Sequence, residues 1–431
     1  MSSLIQPQTL KGFRDSLPEQ EIKRRDLMSK LEEGFRQFGY EPIDTPALEY
    51  EEILLGKGGG ETEKQVYRFE DHGGRRVALR YDLTVPLARF TAQHREQLPL
   101  PFKRYHMAKV WRGENPQKGR YREFYQCDFD IVGAEGPDSD AEILVMMAHS
   151  MHLLGAKVHI KLSHRQILPN FLNTVGHTEQ QLDILRLIDK KDKISADEFD
   201  QQLAFLLKPS ARERLSHLLS PTKSWEEALS RLSVLDQAAS PIHQRLSEIL
   251  ERLRLSGLEA MVQLDFSITR GLDYYTGVVF ETFLDALPSL GSVCSGGRYD
   301  NLAQLYTKER LPGVGASVGL DRLLAGLEEQ GLTLGSARCT DVAVFNAEQG
   351  TTVLSWKVAQ ALRHKGFKTD LFTETKKTAQ QYAYAEKKRI PIVVIPKSES
   401  QFQIKYLPSG QMENRSNIDE VVQQIRTWLS A

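Results

Sequence analysis

Four cations crowd the stretch Arg112–Arg122 (RGENPQKGRYR): Arg112, Lys118, Arg120 and Arg122, beside the carboxylate Glu114. Arginine offers forked donors that match phosphate oxygens, so this loop suits phosphate recognition; an exposed basic hairpin is the plainer alternative. Directly after it, Gln126, Asp128 and Asp130 alternate with Cys127, Phe129 and Ile131. Residues two apart share a strand face, so three polar side chains project together, into solvent or onto the floor of a pocket. A second cluster, Thr269-Arg-Gly-Leu-Asp-Tyr-Tyr-Thr-Gly277, places an arginine and two tyrosines between glycines that let backbone approach a ligand. A third joins Ser295-Gly-Gly-Arg-Tyr299 to Gly313-Val-Gly-Ala-Ser-Val-Gly319 and Arg322. Its spacing, G-x-G-x-x-x-G, is not the dinucleotide fingerprint, and no Walker A motif occurs. Three arginine-bearing, glycine-rich clusters with carboxylates nearby point to a site for a nucleotide and a small zwitterion.

The elements that must hold these clusters are legible in outline. Glu21–Tyr40 reads as an amphipathic helix with Leu27, Met28, Leu31, Phe35 and Phe38 on one face and Gly39 at its stop. Strand-like stretches follow at Gln65–Glu70, Arg76–Arg80, Phe102–Trp111 and Phe124–Val132, with a hairpin signal at Asp71-His-Gly-Gly. Strands this close leave no room for crossover helices, so the sheet should be mainly antiparallel. Gly56–Gly60 is a loop too permissive for regular structure. Residues 168–257 carry helical periodicity and read as a helical insertion. Strand character resumes at Met261–Ser267 and Gly277–Phe283, and Ser317–Gln330 reads as a helix. After a linker at 331–337, strands at Asp341–Phe345 and Ile390–Ile395, helices at Thr351–His364, Thr378–Arg389 and Ile418–Leu429, and a hairpin over Gln401–Gln411 suggest a small α/β domain. The division expected is therefore 1–167 and 258–330 as the two parts of one α+β domain, 168–257 inserted between them, and 338–431 as a separate module.

The 431 residues carry 56 Lys+Arg against 57 Asp+Glu, a formal net charge of −1. That total is uneven along the chain: residues 338–431 hold 14 basic and 9 acidic side chains, a mild pointer to nucleic acid. No run of apolar residues is long enough for a membrane span, and MSSLIQPQTLKGF lacks a signal-peptide core. Cys127, Cys294 and Cys339 are too few for a disulfide framework or a zinc knuckle, which fits a reducing, cytoplasmic setting.

The segments LKGFRDSLP, LRYDLTVPLARF, GRYREFYQCDFDIVG, RGLDYYTG and SGGRYDNL make the chain resemble the histidyl-tRNA synthetases, within the class II aminoacyl-tRNA synthetases. The resemblance runs from about residue 9 to the end. It implies a mainly antiparallel sheet flanked by helices, a helical insertion and a C-terminal α/β anticodon-binding domain. It also implies activation of L-histidine with ATP and transfer to tRNA(His), in a cytoplasmic homodimer. By resemblance, Arg112 and Arg270 are the catalytic arginines at the α-phosphate, Arg120 and Arg322 hold the terminal phosphates, and Glu114 meets the adenine edge. Histidine would be bound by Asp82, Thr84, Arg112, Gln126, Asp130, Arg270, Tyr274 and Tyr275, with Asp130 and Tyr275 at the imidazole. Gln117 and Lys118 match the loop tip that approaches the tRNA acceptor end. Magnesium is expected with ATP, with its protein ligands unassigned. Many bacterial relatives carry Glu-Gly-Thr where Asp82-Leu83-Thr84 stands here, and Ile395-Pro-Lys-Ser-Glu departs from the usual turn of the anticodon module. The closest rival is the catalytically silent regulatory paralogue of ATP phosphoribosyltransferase. It usually lacks the anticodon module and several of the arginines present here. An RNA-binding sensor module and a class II synthetase for another amino acid rank lower.

Overall fold

The computed structural model describes residues 4–56, 61–117, 119–191, 194–232, 240–269, 272, 274–332, 338–346 and 351–430. By contacts the chain divides into two compact units, Met1–Asp15 with Leu27–Thr333 and Ser16–Asp26 with Leu334–Ala431.

The first long helix spans Pro18–Gln37. It starts earlier than its apolar periodicity suggests because Pro18 suits the first turn, where its missing N–H is not needed, and Glu19 and Glu21 complement the helix N-terminus. Leu27, Leu31 and Phe35, four residues apart, are fully buried. Strands β1 (Glu41–Pro42), β2 (Leu48–Tyr50), β3 (Arg68–Glu70) and β4 (Arg76–Leu79) follow, the last three forming a small antiparallel sheet. Gln65, read as the start of a strand, closes a 3-10 turn instead. The main sheet adds β5 (Phe102–Trp111), β6 (Glu123–Val132), β7 (Val158–His164), β8 (Val262–Leu264), β9 (Val278–Leu284), β10 (Cys294–Tyr299) and β11 (Gly313–Gly319). Its order is β1-β5-β6-β11-β10-β9-β7-β8, antiparallel except for the pairs β1–β5 and β7–β8. The mainly antiparallel expectation holds.

The two faces of β6 divide the labour. Phe129 packs against the Phe35 ring of the first helix at 5.2 Å between centroids, while Gln126, Asp128 and Asp130 face the other way. The stretch Gly313–Gly319 is a full strand that ends in the helix Leu320–Glu329. Ser317 and Val318, expected in that helix, pair instead with Asp128 and Cys127 across the sheet. Between β7 and β8 lie the helices Ile167–Thr174, Gln181–Asp189, Ala196–Leu206, Pro209–Leu219, Trp225–Arg231 and Ser240–Leu255. Ser195 and Ser224 cap two of them by accepting from Glu198 and Glu227 backbone N–H groups.

The C-terminal unit has its own five-stranded sheet built from β12 (Val342–Val344), β13 (Thr369–Leu371), β14 (Ile392–Ser398), β15 (Gln401–Tyr406) and β16 (Met412–Arg415). Helices Thr352–His364, Thr378–Lys387 and Ile418–Ser430 accompany it. Val342, Val344, Ile392 and Val394 enter one core with Leu362, Ile425 and Trp428, while Ala343, Phe345, Val393 and Ile395 enter a second. That alternation marks a sheet covered on both faces. The three-residue strand β13 is too short to carry a period of its own.

Candidate active site

A cleft of about 410 Å³ opens on the pocket face of the main sheet. Asp82, Thr84, Arg112, Glu114, Arg120, Gln126, Asp130, Tyr274, Tyr275 and Arg322 all line it. Gln117 does not; it forms a two-residue bridge with Arg120 near the tip of the loop between β5 and β6. Arg270 and Lys118 lie outside the described residues.

One end of the cleft is basic. Arg112 donates Nε to the Tyr81 carbonyl at 2.9 Å, and its guanidinium lies 5.3 Å from the centroid of the Phe124 ring. Arg120 pairs with Glu114 at 2.8 Å, and Arg322 donates to the Ser292 carbonyl at 2.6 Å. Burial, together with repulsion from Arg120 and Arg112, pulls the Arg322 guanidinium below its ordinary range. Three arginines held against their mutual repulsion are a ready site for a polyanion. Arg14 from the opening segment pairs with Asp321 and donates to the Tyr121 hydroxyl at 2.9 Å. Asp321 in turn accepts from the Tyr125 N–H at 2.9 Å, so Arg14 ties the basic loop to the Arg322 helix.

The other end is acidic and dry. Asp82 accepts from the Val85 N–H at 3.1 Å and from the Tyr274 hydroxyl at 3.0 Å. Asp130 accepts from the Tyr299 hydroxyl at 2.6 Å and sits 2.6 Å from the fully buried Arg104. Gln126, Asp128 and Asp130 are 7%, 2% and 2% exposed, so the polar face of β6 is a pocket floor and not a solvent face. Burial pushes all three carboxyls, Asp82, Asp128 and Asp130, above the usual range against the pull of Arg104. The buried Oε1 of Gln126 has no hydrogen-bond partner among the described residues, an open acceptor at the cleft wall.

Small residues make the room. Gly315, Ser317 and Gly319 on β11 stand opposite Asp130, Asp128 and Gln126. Gly297 and Ser295 on β10 stand opposite Gly315 and Ser317 in turn. A Cβ on Gly315 would sit 1.9 Å from Asp130 Oδ1, and one on Gly297 would meet the Tyr275 ring at 2.9 Å. The glycine-rich segments therefore shape a sheet-floor cavity rather than a phosphate loop.

Arg104 was not singled out from the sequence, and Tyr299 and Arg14, which lie in the segments SGGRYDNL and LKGFRDSLP, were given no role there. Arg104 and His106 occupy alternate positions of β5 directly opposite Asp130 and Asp128, and that alternation of polar residues in FKRYHMAKVW is the signal that could have found Arg104. Arg298 of the third cluster turns away from the cleft. It donates to Asp140 at 2.8 Å and to Ser139 at 2.7 Å, anchoring the helix Pro137–Leu153.

A family model described as histidyl-tRNA synthetase matches residues 12–323, and one described as anticodon binding domain matches residues 341–428. A histidine–tRNA ligase of Treponema denticola is 47% identical, with 99% of each chain covered. One of Wolinella succinogenes is 46% identical over 91% of each. Among solved structures, histidyl-tRNA synthetase from Nostoc sp. PCC 7120 covers 98% of this chain and 100% of its own, at a TM-score of 0.86 and 28% identity.

Proposed function

The chain belongs to the histidyl-tRNA synthetase family and is an ATP-dependent aminoacyl-tRNA ligase, and we propose that the two ends of the cleft divide its substrates between them. The observation that carries this is polarity: one cavity is lined by Arg112, Arg120 and Arg322, which lie within one another's field, and by Asp82, Asp128 and Asp130, which lie within one another's. ATP belongs with the arginines and the ammonium and imidazole of histidine with the carboxylates.

In the activation step the histidine carboxylate attacks the α-phosphorus, an oxygen–phosphorus bond forms, and the bond to pyrophosphate breaks. Little covalent chemistry falls to the protein; positioning and neutralisation of phosphate charge dominate. Arg112, with Nε anchored on a backbone carbonyl, keeps its terminal nitrogens for the carboxylate and the α-phosphate. Arg270 shares that role. Arg120 leaves Glu114 for the terminal phosphates beside Arg322, which frees Glu114 for the adenine edge. Asp82, Thr84 and Gln126 take the α-ammonium, with the open Gln126 Oε1 as one acceptor. Asp130 and Tyr275 flank the imidazole, and Tyr274 is fixed through its bond to Asp82. Magnesium enters as part of the substrate, Mg–ATP.

Transfer then brings the 3′ end of tRNA(His) to the adenylate. We assign the loop tip at Gln117 and Lys118 to the first acceptor bases, the helices between β7 and β8 to the acceptor arm, and residues 338–431 to the anticodon. A homodimer working in the cytoplasm completes the proposal. No helix among the described residues is long and apolar enough to cross a membrane.

Replacing Asp130 tests the assignment. Asp130→Ala should lower histidine-dependent ATP–pyrophosphate exchange at least 100-fold while ATP affinity, read by calorimetry, stays within threefold. Asp130→Asn keeps the volume if loss of the Arg104 partner unfolds the alanine variant. Exchange near the wild-type rate in a folded variant would remove Asp130 from the histidine site.

A further inference from the structure

Asp128 lies between Gln126 and Asp130 on the pocket face of β6 and lines the same cleft, yet none of the roles above employs it. Its neighbour Asp130 is engaged by the chain on both oxygens, by the Tyr299 hydroxyl and by Arg104. Asp128 has the Ser317 hydroxyl beside it as the hydrogen-bonding group that favours its charge, and its buried Oδ1 has no hydrogen-bond partner among the described residues. Across the sheet, Ser317 and Gly315 stand opposite Asp128 and Asp130; the Asp130 carboxylate fills the place a Gly315 side chain would take, and Asp128 lines the cleft beside Ser317. A buried carboxylate oxygen without a partner is costly, and in a cleft the missing donor is the ligand's to supply.

Resting on the reading of this cleft as the histidine site, we propose that Asp128 determines specificity by accepting a hydrogen bond from an imidazole N–H of the substrate. Two carboxylates, Asp128 and Asp130, then face the ring. The ring binds as imidazolium, with the ring N–H donated to the Asp128 carboxylate. Ring and carboxylate hold one proton between them. A phenyl or isobutyl side chain offers no donor and leaves the open Asp128 oxygen stranded, which sharpens discrimination.

The groups around Asp128 fit a shared proton. Arg104 on β5 favours its charge, while Asp130 and Asp82 oppose it. Together with burial, the largest influence, these place the carboxyl at about 7. His106, its register partner on β5, is driven down to about 3 and stays neutral. Arg80 donates to the backbone carbonyls of Thr45 and Lys109. Tyr275 and Cys294, also within reach of the Asp128 charge, are both pushed up and stay neutral. Free imidazole titrates near pH 6.5, so above about pH 7 substrate and site are both bare and one proton must be taken up on binding.

The test is pyrophosphate exchange by the full chain with L-histidine varied from pH 6 to 8.5, for wild type, Asp128→Asn and Asp130→Asn. Wild-type kcat/KM for histidine should fall above pH 7, approaching about tenfold per pH unit. In Asp128→Asn it should be at least tenfold lower at pH 7 and nearly flat above it, with the KM for ATP within twofold. Calorimetry of wild type with L-histidine at pH 8, in two buffers of different ionisation enthalpy, should report uptake of about one proton. This second readout decides the matter if Asp128→Asn does not fold. A histidine KM within twofold of wild type and an unchanged pH profile in Asp128→Asn overturn the proposal, as does absence of proton uptake by wild type. An Asp128→Asn variant whose sole defect is a lowered melting temperature assigns Asp128 to Arg104 and overturns it too. If Asp130→Asn loses histidine dependence while Asp128→Asn does not, the proposal fails and the histidine site stands. If neither variant is affected, both fail.

Discussion

Arg104 and Asp130 meet at 2.6 Å with both side chains at most 3% exposed, and the chemistry of the pocket floor is organised around that contact. One guanidinium faces Asp130 while Asp82 and Asp128 lie within its field, so three buried carboxyls compete for the pull of Arg104 and burial raises all of them. Such a floor trades stability for a place to bind cations. The sign of the trade can be worked out for Asp128. Its folded carboxyl, at about 7, lies above the ordinary value of 3.8. A raised folded value contributes stability that is present in full below the unfolded value and lost as pH rises through the folded one. The ligand-free protein should therefore gain from Asp128→Asn increasingly between pH 5 and 8.5, by about 2–3 kcal/mol across that window. Melting curves of the two forms over this range check it. A difference that stays constant or reverses with pH would mean the carboxyl titrates at its ordinary value. At this scale much was legible in the sequence. All ten described residues named for the catalytic, nucleotide and amino-acid sites line the cleft; Gln126, Asp130 and the arginines were marked by strand alternation and clustering, whereas Asp82 and Thr84 were named through the family resemblance alone. Arg104 was not singled out because its meaning lies in a partner on the next strand, and register is not local.

The cavity itself is a property of elements. β10 and β11 place glycine and serine where a packed sheet would put side chains, and the pocket is the volume they leave empty. Gly315 is the sharpest case, since an added Cβ would lie 1.9 Å from Asp130 Oδ1 and 2.8 Å from the Phe129 carbonyl. Gly315→Ala should displace Asp130 from Arg104 and Tyr299, raise the histidine KM at least tenfold, and cost about 1–3 kcal/mol of stability as an overpacked site. Gly136→Ala, where a Cβ meets nothing within 4 Å, serves as the control that should leave the histidine KM unchanged. A Gly315→Ala variant with native histidine KM would mean the sheet gives way easily there. Element types were mostly readable, and the failures have physical causes. Ser317, Val318 and Gly319 were read into the helix but lie on β11, because cross-strand pairing with Asp128, Cys127 and Gln126 holds them and the helix begins at Leu320. The helix Pro137–Leu153 offered no strong period to read, since Ile143, Leu144, Met146, Met147 and Met151 bury it on several sides.

For the whole molecule, the net charge of −1 is a sum over parts of opposite character. Residues 338–431 are net basic and fold as a parallel-and-antiparallel sheet with its own two cores, and that span contains the match to an anticodon binding domain. The rest is net acidic, yet places Arg112, Arg120 and Arg322 together in one cleft. The α/β character of the C-terminal part was readable from alternating strands and helices, whereas strand order was not, because it depends on contacts between segments far apart in sequence. The central claim is that this cleft joins ATP to histidine and to no other amino acid. The most direct measurement is ATP–pyrophosphate exchange by the full chain against all twenty amino acids, each supplied alone. Exchange supported by histidine and at least about 10⁴-fold weaker with every other amino acid is the predicted result. Comparable exchange with any second amino acid, or none with histidine, would contradict it.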